Sequence, residues 1–158
     1  MSQPPRDSGF TLVEVLVTIT LLGVLMAIAV SGWSSWARAS EQSGTARELQ
    51  SLLRSAHQRA ITEGNAMCVQ FDTTANHYSV YRGICADPGR QRLLGPYETD
   101  GGHVRLASPD FSGSTVTSGV TFFARGTATP GTVKVTRDGS SKVYTLAIEG
   151  LTGRVSLS

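Results

Sequence analysis

The sequence predicts an α+β protein in which one long N-terminal helix packs on an antiparallel β-sheet domain. Three observations carry this. Phe10–Val30 is an apolar run broken by a single charge, Glu14. Apolar residues then recur at three- and four-residue spacing as far as Ala60. Beyond Asn65 the period drops to two, and Thr, Ser and Gly dominate, the pattern of strands and turns. A chain of 158 residues holds one modest domain.

Residues 1–9 form a short polar leader with Arg6 and two prolines. Residues 10–32 form the first half of the helix. Its apolar run of about 21 residues spans about 32 Å, close to the ~30 Å hydrocarbon core of a bilayer. Arg6 before the span favours a cytoplasmic leader and an exported C-terminal part. A secretory signal would end at an A-x-A-like site, but the run continues through Ser31-Gly32-Trp33 into more helix and reads as retained. Trp33 and Trp36 suit either a membrane–water interface or packing on the domain.

Residues 33–64 continue as an amphipathic helix. Ala46, Leu49, Leu53, Ala56 and Ala60 form its apolar stripe, and Leu52 widens it. Gly64-Asn65 ends it, giving about 54 helical residues and about 80 Å of helix. Gly23, Gly32 and Gly44 are candidate weak points.

Residues 65–158 form the β-rich domain. Residues 66–71 and 78–81 flank Asp72–Asn76 as a hairpin. Residues 84–118, rich in Gly, Pro, Asp and Ser, read as a loop-rich part with weak strands near 92–94 and 104–106. Residues 120–123 form a strand. Residues 132–137 and 142–148 flank Asp138-Gly139 as a second hairpin, and 153–157 close the chain.

Glu14 needs a partner, because a carboxylate inside a bilayer costs about 2.5–3.5 kcal/mol. A cut after Gly9 would create an α-amine on Phe10, one helical turn away. That amine could pair with Glu14 of its own chain or of a neighbour. The alternative is a carboxylate resting near the interface.

The stretch Ser8-Gly9-Phe10-Thr11-Leu12-Val13-Glu14-Val15-Leu16 resembles the G-F-T-L-x-E processing motif of type IV prepilins and type II secretion pseudopilins. The resemblance implies cleavage between Gly9 and Phe10 by a prepilin peptidase and N-methylation of Phe10. It also implies docking of Glu14 on a neighbour's N-terminus during assembly. One long helix followed by strands is the architecture of that family, the pilin fold. The order Arg59-Ala-Ile, Gly64, apolar strand, hairpin and closing Gly153-Arg154-Val155 resembles the GspH/FimT-type minor pseudopilins and minor pilins. This implies a structural filament subunit, with other pilin or pseudopilin subunits, the peptidase and an inner-membrane assembly platform as partners. It implies a single-pass protein of the inner membrane with its C-terminal domain exported.

Other chemistry finds little support. His57, His77 and His103 lack metal-ligand spacing, and no G-x-S-x-G elbow or phosphate loop occurs. The acids Asp72, Asp87, Asp100, Asp110 and Asp138 sit in turn-like contexts, where Asp serves the backbone. No enzyme activity and no cofactor are expected. Cys68 and Cys85 read either as a disulfide of an exported domain or as two free thiols in a sheet. A net charge of +2 does not demand nucleic acid. The alternative reading is a minor pilin that captures DNA through Arg125, Lys134, Arg137, Lys142 and Arg154. It is weakened by Ser156, where DNA-binding relatives tend to carry a second basic residue.

Overall fold

The structure, a computed structural model, describes residues 10–99, 102–111 and 116–158, with the side chains of 31, 32, 34 and 35 left out. The expected leader 1–9, including Gly9, and Asp100 lie outside these. The order is α1 (Leu12–Glu63), β1 (Met67–Asp72), β2 (His77–Arg82), β3 (Gln91–Glu98), β4 (Val104–Asp110), β5 (Gly119–Phe122), β6 (Gly131–Arg137), β7 (Tyr144–Ile148) and β8 (Val155–Leu157). The chain divides into two compact units, residues 1–37 and 38–158.

In the first unit α1 begins on a cap. The Thr11 hydroxyl accepts the Glu14 N–H at 3.3 Å, relieving one of the donors a helix start leaves free. Glu14 then sits in the first turn, where the helix dipole favours a negative charge. The Thr18 and Thr20 hydroxyls donate back to the carbonyls of Val15 and of Leu16 and Val17, so neither needs water. The helix runs unbroken through Gly23, Gly32 and Gly44, so none of the three interrupts it.

The second unit holds the core. Ala46, Leu49, Leu53, Ala56 and Ala60 are all buried, as their spacing predicts. They pack with apolar residues from two four-stranded antiparallel sheets, ordered β3-β2-β1-β5 and β4-β6-β7-β8. The antiparallel sheet domain expected from the sequence is present, its strands divided between these two sheets. Gly64, at φ +63°, reverses the chain as only glycine does cheaply. Asn65 caps the helix by donating to the Glu63 carbonyl.

Two strands are longer than the sequence suggested. β3 has eight residues and β4 seven, inside the segment read as loop-rich. Both are edge strands, the position where Pro96 and Pro109 are tolerated, because an edge leaves N–H groups outside the ladder. Asn76 links the sheets. Its side-chain oxygen accepts the Leu106 N–H at 2.8 Å, and its amide donates to the Val104 carbonyl at 2.7 Å and to the Thr99 hydroxyl.

Candidate functional site

The N-terminal segment is the first candidate. Leu12–Val30 is long and apolar enough to cross a membrane, and none of it is buried within the chain. At ~1.5 Å per residue its 19 residues span about 29 Å. Phe10, immediately before the capped turn, is 82% exposed. Trp33 and Trp36 are both largely exposed and face each other at 5.6 Å between ring centroids. Glu14 also serves the helix start as the last residue of a Thr-x-x-Glu capping pattern. The sequence reading missed that local role, although Thr11 and Glu14 are the signal for it.

Cys68 and Cys85 form a disulfide. It pins the segment after β2 across the outer face of β1. Cys85 N–H donates to the Thr121 hydroxyl, fixing the same segment to β5.

The five basic residues considered for DNA do not converge. Lys134 stands exposed on the outer face of the second sheet, opposite Ala107 and Thr145. Arg137 and Lys142 flank the β6–β7 turn. That turn lies beside Gln42, whose amide donates to the carbonyls of Val135 and Lys142. Arg137 Nε is buried and lacks a hydrogen-bond partner among the described residues, and Lys142 Nζ lies 4.8 Å from the Tyr144 ring centroid. Arg125 and Arg154 belong to loops at the other end, where Gly126 and Gly153 both meet His57. From Gln42 to His57 the helix advances roughly 22 Å. The Arg125 guanidinium is further engaged, over the Phe123 ring and with the Thr127 hydroxyl.

His57 is a structural residue. Its ring packs 5.4 Å from Phe122, and Nε2 lies 3.0 Å from the Gly126 carbonyl. Among the described residues no three His, Cys, Asp or Glu side chains group as metal ligands. Asp72 Oδ1 accepts the N–H groups of Thr74 and Ala75, both at 2.9 Å. The Ala75 bond is the main cause that holds this carboxyl below the usual aspartate range; Thr74 and the nearby His77 add to it.

An N-terminal apolar helix and antiparallel sheets packed on its amphipathic continuation define a pilin-like protein. A family model described as Type II transport protein GspH matches residues 45–152, and one described as the prokaryotic N-terminal methylation motif matches residues 4–30. The chain belongs to the GspH family, that of minor pseudopilins and pilins of type II secretion systems and type IV pili. Among solved structures, it is similar to the minor pseudopilin EpsH from the type 2 secretion system of Vibrio cholerae. That match has a TM-score of 0.57 and 17% identity, covering 75% of this chain and 96% of that one. It is also similar to the type IV minor pilin FimU of Pseudomonas aeruginosa, with a TM-score of 0.56 and 21% identity over 76% of this chain and 90% of that one. At these identities the likeness is one of fold. No protein of curated function matches the sequence.

Proposed function

We propose that this chain is a minor subunit of a type II secretion pseudopilus or a type IV pilus, made as a precursor and built into the filament through its N-terminal helix. A prepilin peptidase cuts between Gly9 and Phe10 and methylates the new amine of Phe10. Residues 10–32 hold the subunit in the inner membrane with residues 65–158 exported. Glu14 then pairs with the N-terminus of a neighbouring pilin-like subunit, and an assembly platform lifts the subunit out of the bilayer. A paired carboxylate escapes much of the cost it bears alone in lipid.

The observation that carries this reading is the wholly exposed apolar segment Leu12–Val30, which begins within a Gly-Phe-Thr-Leu-Val-Glu motif on a pilin fold. Such a surface needs lipid or other helices around it, and a filament core supplies the second when the subunit leaves the first. The separation of the five basic residues favours no second reading.

The test is the intact mass and N-terminus of the protein from cells with and without the peptidase. A chain starting at Phe10, heavier by one methyl group, is expected only where the peptidase is present. A Met1 start in both strains would overturn the processing step. Glu14→Ala should leave the exported domain folded while removing the subunit from sheared filaments.

A further inference from the structure

The outer face of the β1–β2 hairpin carries a feature that the assembly reading above does not draw on. Gln70 and Asp72 alternate with the core residues Val69 and Phe71, and His77, Ser79 and Tyr81 alternate with Tyr78 and Val80. In a strand this alternation turns all five side chains away from the core. They line one polar cavity of about 140 Å³. The register sets Gln70 opposite Ser79 and Asp72 opposite His77. Arg90 braces two of the lining residues, donating to Gln70 Oε1 and lying with its guanidinium 4.6 Å from the Tyr81 ring centroid, and it also donates to the Cys85 carbonyl. The Cys68–Cys85 disulfide ties the segment leading to Arg90 onto β1.

The hydrogen-bonding capacity in this cavity is largely unspent. Gln70 Nε2, the His77 ring nitrogens, Ser79 Oγ and the Tyr81 hydroxyl bond to no described residue. Asp72 commits Oδ1 to the turn and leaves Oδ2 open. Ser79 is only 4% exposed as a residue, and its hydroxyl, which has no partner among the described residues, lines the cavity. A hydroxyl held there at the cavity wall is free to bond whatever occupies the cavity.

We propose that the cavity is a carbohydrate subsite that takes one edge of a neutral pyranose, with two adjacent sugar hydroxyls seated among Gln70, Ser79 and Tyr81. Each sugar hydroxyl both donates and accepts. The site matches this with an amide donor, two hydroxyls that do both, an imidazole and a carboxylate acceptor. A charged ligand fits less well: Asp72 repels an anion and Arg90 a cation. Drug-sized pockets run to roughly 300–1,000 Å³, so this cavity holds part of one ring and binds weakly. The groups stand on two paired strands and so need little ordering on binding.

The test is saturation-transfer NMR on the full chain in lipid nanodiscs, since maltoside detergents are themselves glycosides. The probes are the methyl α-pyranosides of glucose, mannose and galactose, each alone. At least one should receive saturation on its ring protons, with a dissociation constant of about 1–10 mM. Gln70→Leu, Ser79→Ala and Tyr81→Phe should each weaken it by up to about tenfold, the weight of one lost hydrogen bond. Lys134→Ala, on the other sheet, should change nothing. Tyr81→Phe keeps the ring under Arg90 and carries the least risk to folding, which thermal melting checks. Absence of transfer from all three glycosides overturns the proposal. So does undiminished transfer in folded Tyr81→Phe and Gln70→Leu proteins. No part of the site lies on α1, so either outcome leaves the assembly reading to its own test.

Discussion

Replacing Gly153 by alanine probes how the turn before β8 is held against α1. Gly153 has φ +62°, where an alanine costs about 1–2 kcal/mol in backbone strain alone. A Cβ on that backbone would stand 2.4 Å from His57 Nε2 and 2.9 Å from the Gly126 carbonyl oxygen. The imidazole cannot swing aside freely, because it bonds that carbonyl and packs on Phe122. Moving it gives up about 1 kcal/mol of hydrogen bonding, and the remaining overpacking adds about 1–3 kcal/mol. The expected loss is on the order of 4 kcal/mol. At several degrees per kcal/mol, that lowers the melting temperature by roughly 10–20 °C. The assay is thermal unfolding of the full chain in detergent, followed by circular dichroism. Combining Gly153→Ala with His57→Ala removes the clash with the imidazole but neither the close approach to the Gly126 carbonyl nor the backbone strain. The double variant should therefore be more stable than the two single losses predict by addition. If Gly153→Ala lies within about 1 kcal/mol of the parent, or the two losses simply add, the contact is not what fixes the turn.

Other perturbations have clear signs. Leu53→Ala should cost about 2–5 kcal/mol in urea unfolding, since Leu53 is wholly buried between α1 and the sheets; a loss under 1 kcal/mol would mean the helix stripe is not core. Reducing the Cys68–Cys85 bridge, whose ends are 17 positions apart, should cost about 3 kcal/mol by freeing the unfolded chain. An unchanged melting temperature in reductant would contradict that. The Asp72 carboxyl titrates below the ordinary aspartate range because the Ala75 and Thr74 N–H groups favour its ionised form. Its contribution to stability is therefore present above about pH 4 and fades as pH falls through the lowered value. A carbon-detected NMR titration of Asp72 with a midpoint at or above the ordinary value would refute this.

Much of the fold was legible because its signals are local. The stripe Ala46–Ala60 needed only the helical period, and both hairpins announced themselves through Asp72–Asn76 and Asp138-Gly139. The segment leading into α1 was legible as a motif, since Phe10 and Glu14 lie within five positions. What escaped depends on distant parts of the chain. Gln42 continues the buried stripe one turn before Ala46, but its polarity hid it; it is 1% exposed because two carbonyls about a hundred positions away receive its amide. β3 and β4 were under-read because Pro96 and Pro109 break strand patterns everywhere except at an edge, and an edge is a property of the sheet. The polar cavity was invisible because each of its residues is ordinary alone. Only the register of β1 on β2 makes Gln70, Asp72, His77, Ser79 and Tyr81 neighbours.

The Asn76 side chain has a consequence for how this protein ages. Its two ends do opposite jobs, the oxygen accepting from Leu106 N–H and the nitrogen donating to the Val104 carbonyl. Deamidation exchanges that nitrogen for an oxygen and so sets a carboxylate against a carbonyl it used to bind. The donor lost is one that joins the first sheet to the second. Such a change would weaken the seam between the two sheets at Asn76 while altering none of the side chains of the apolar core.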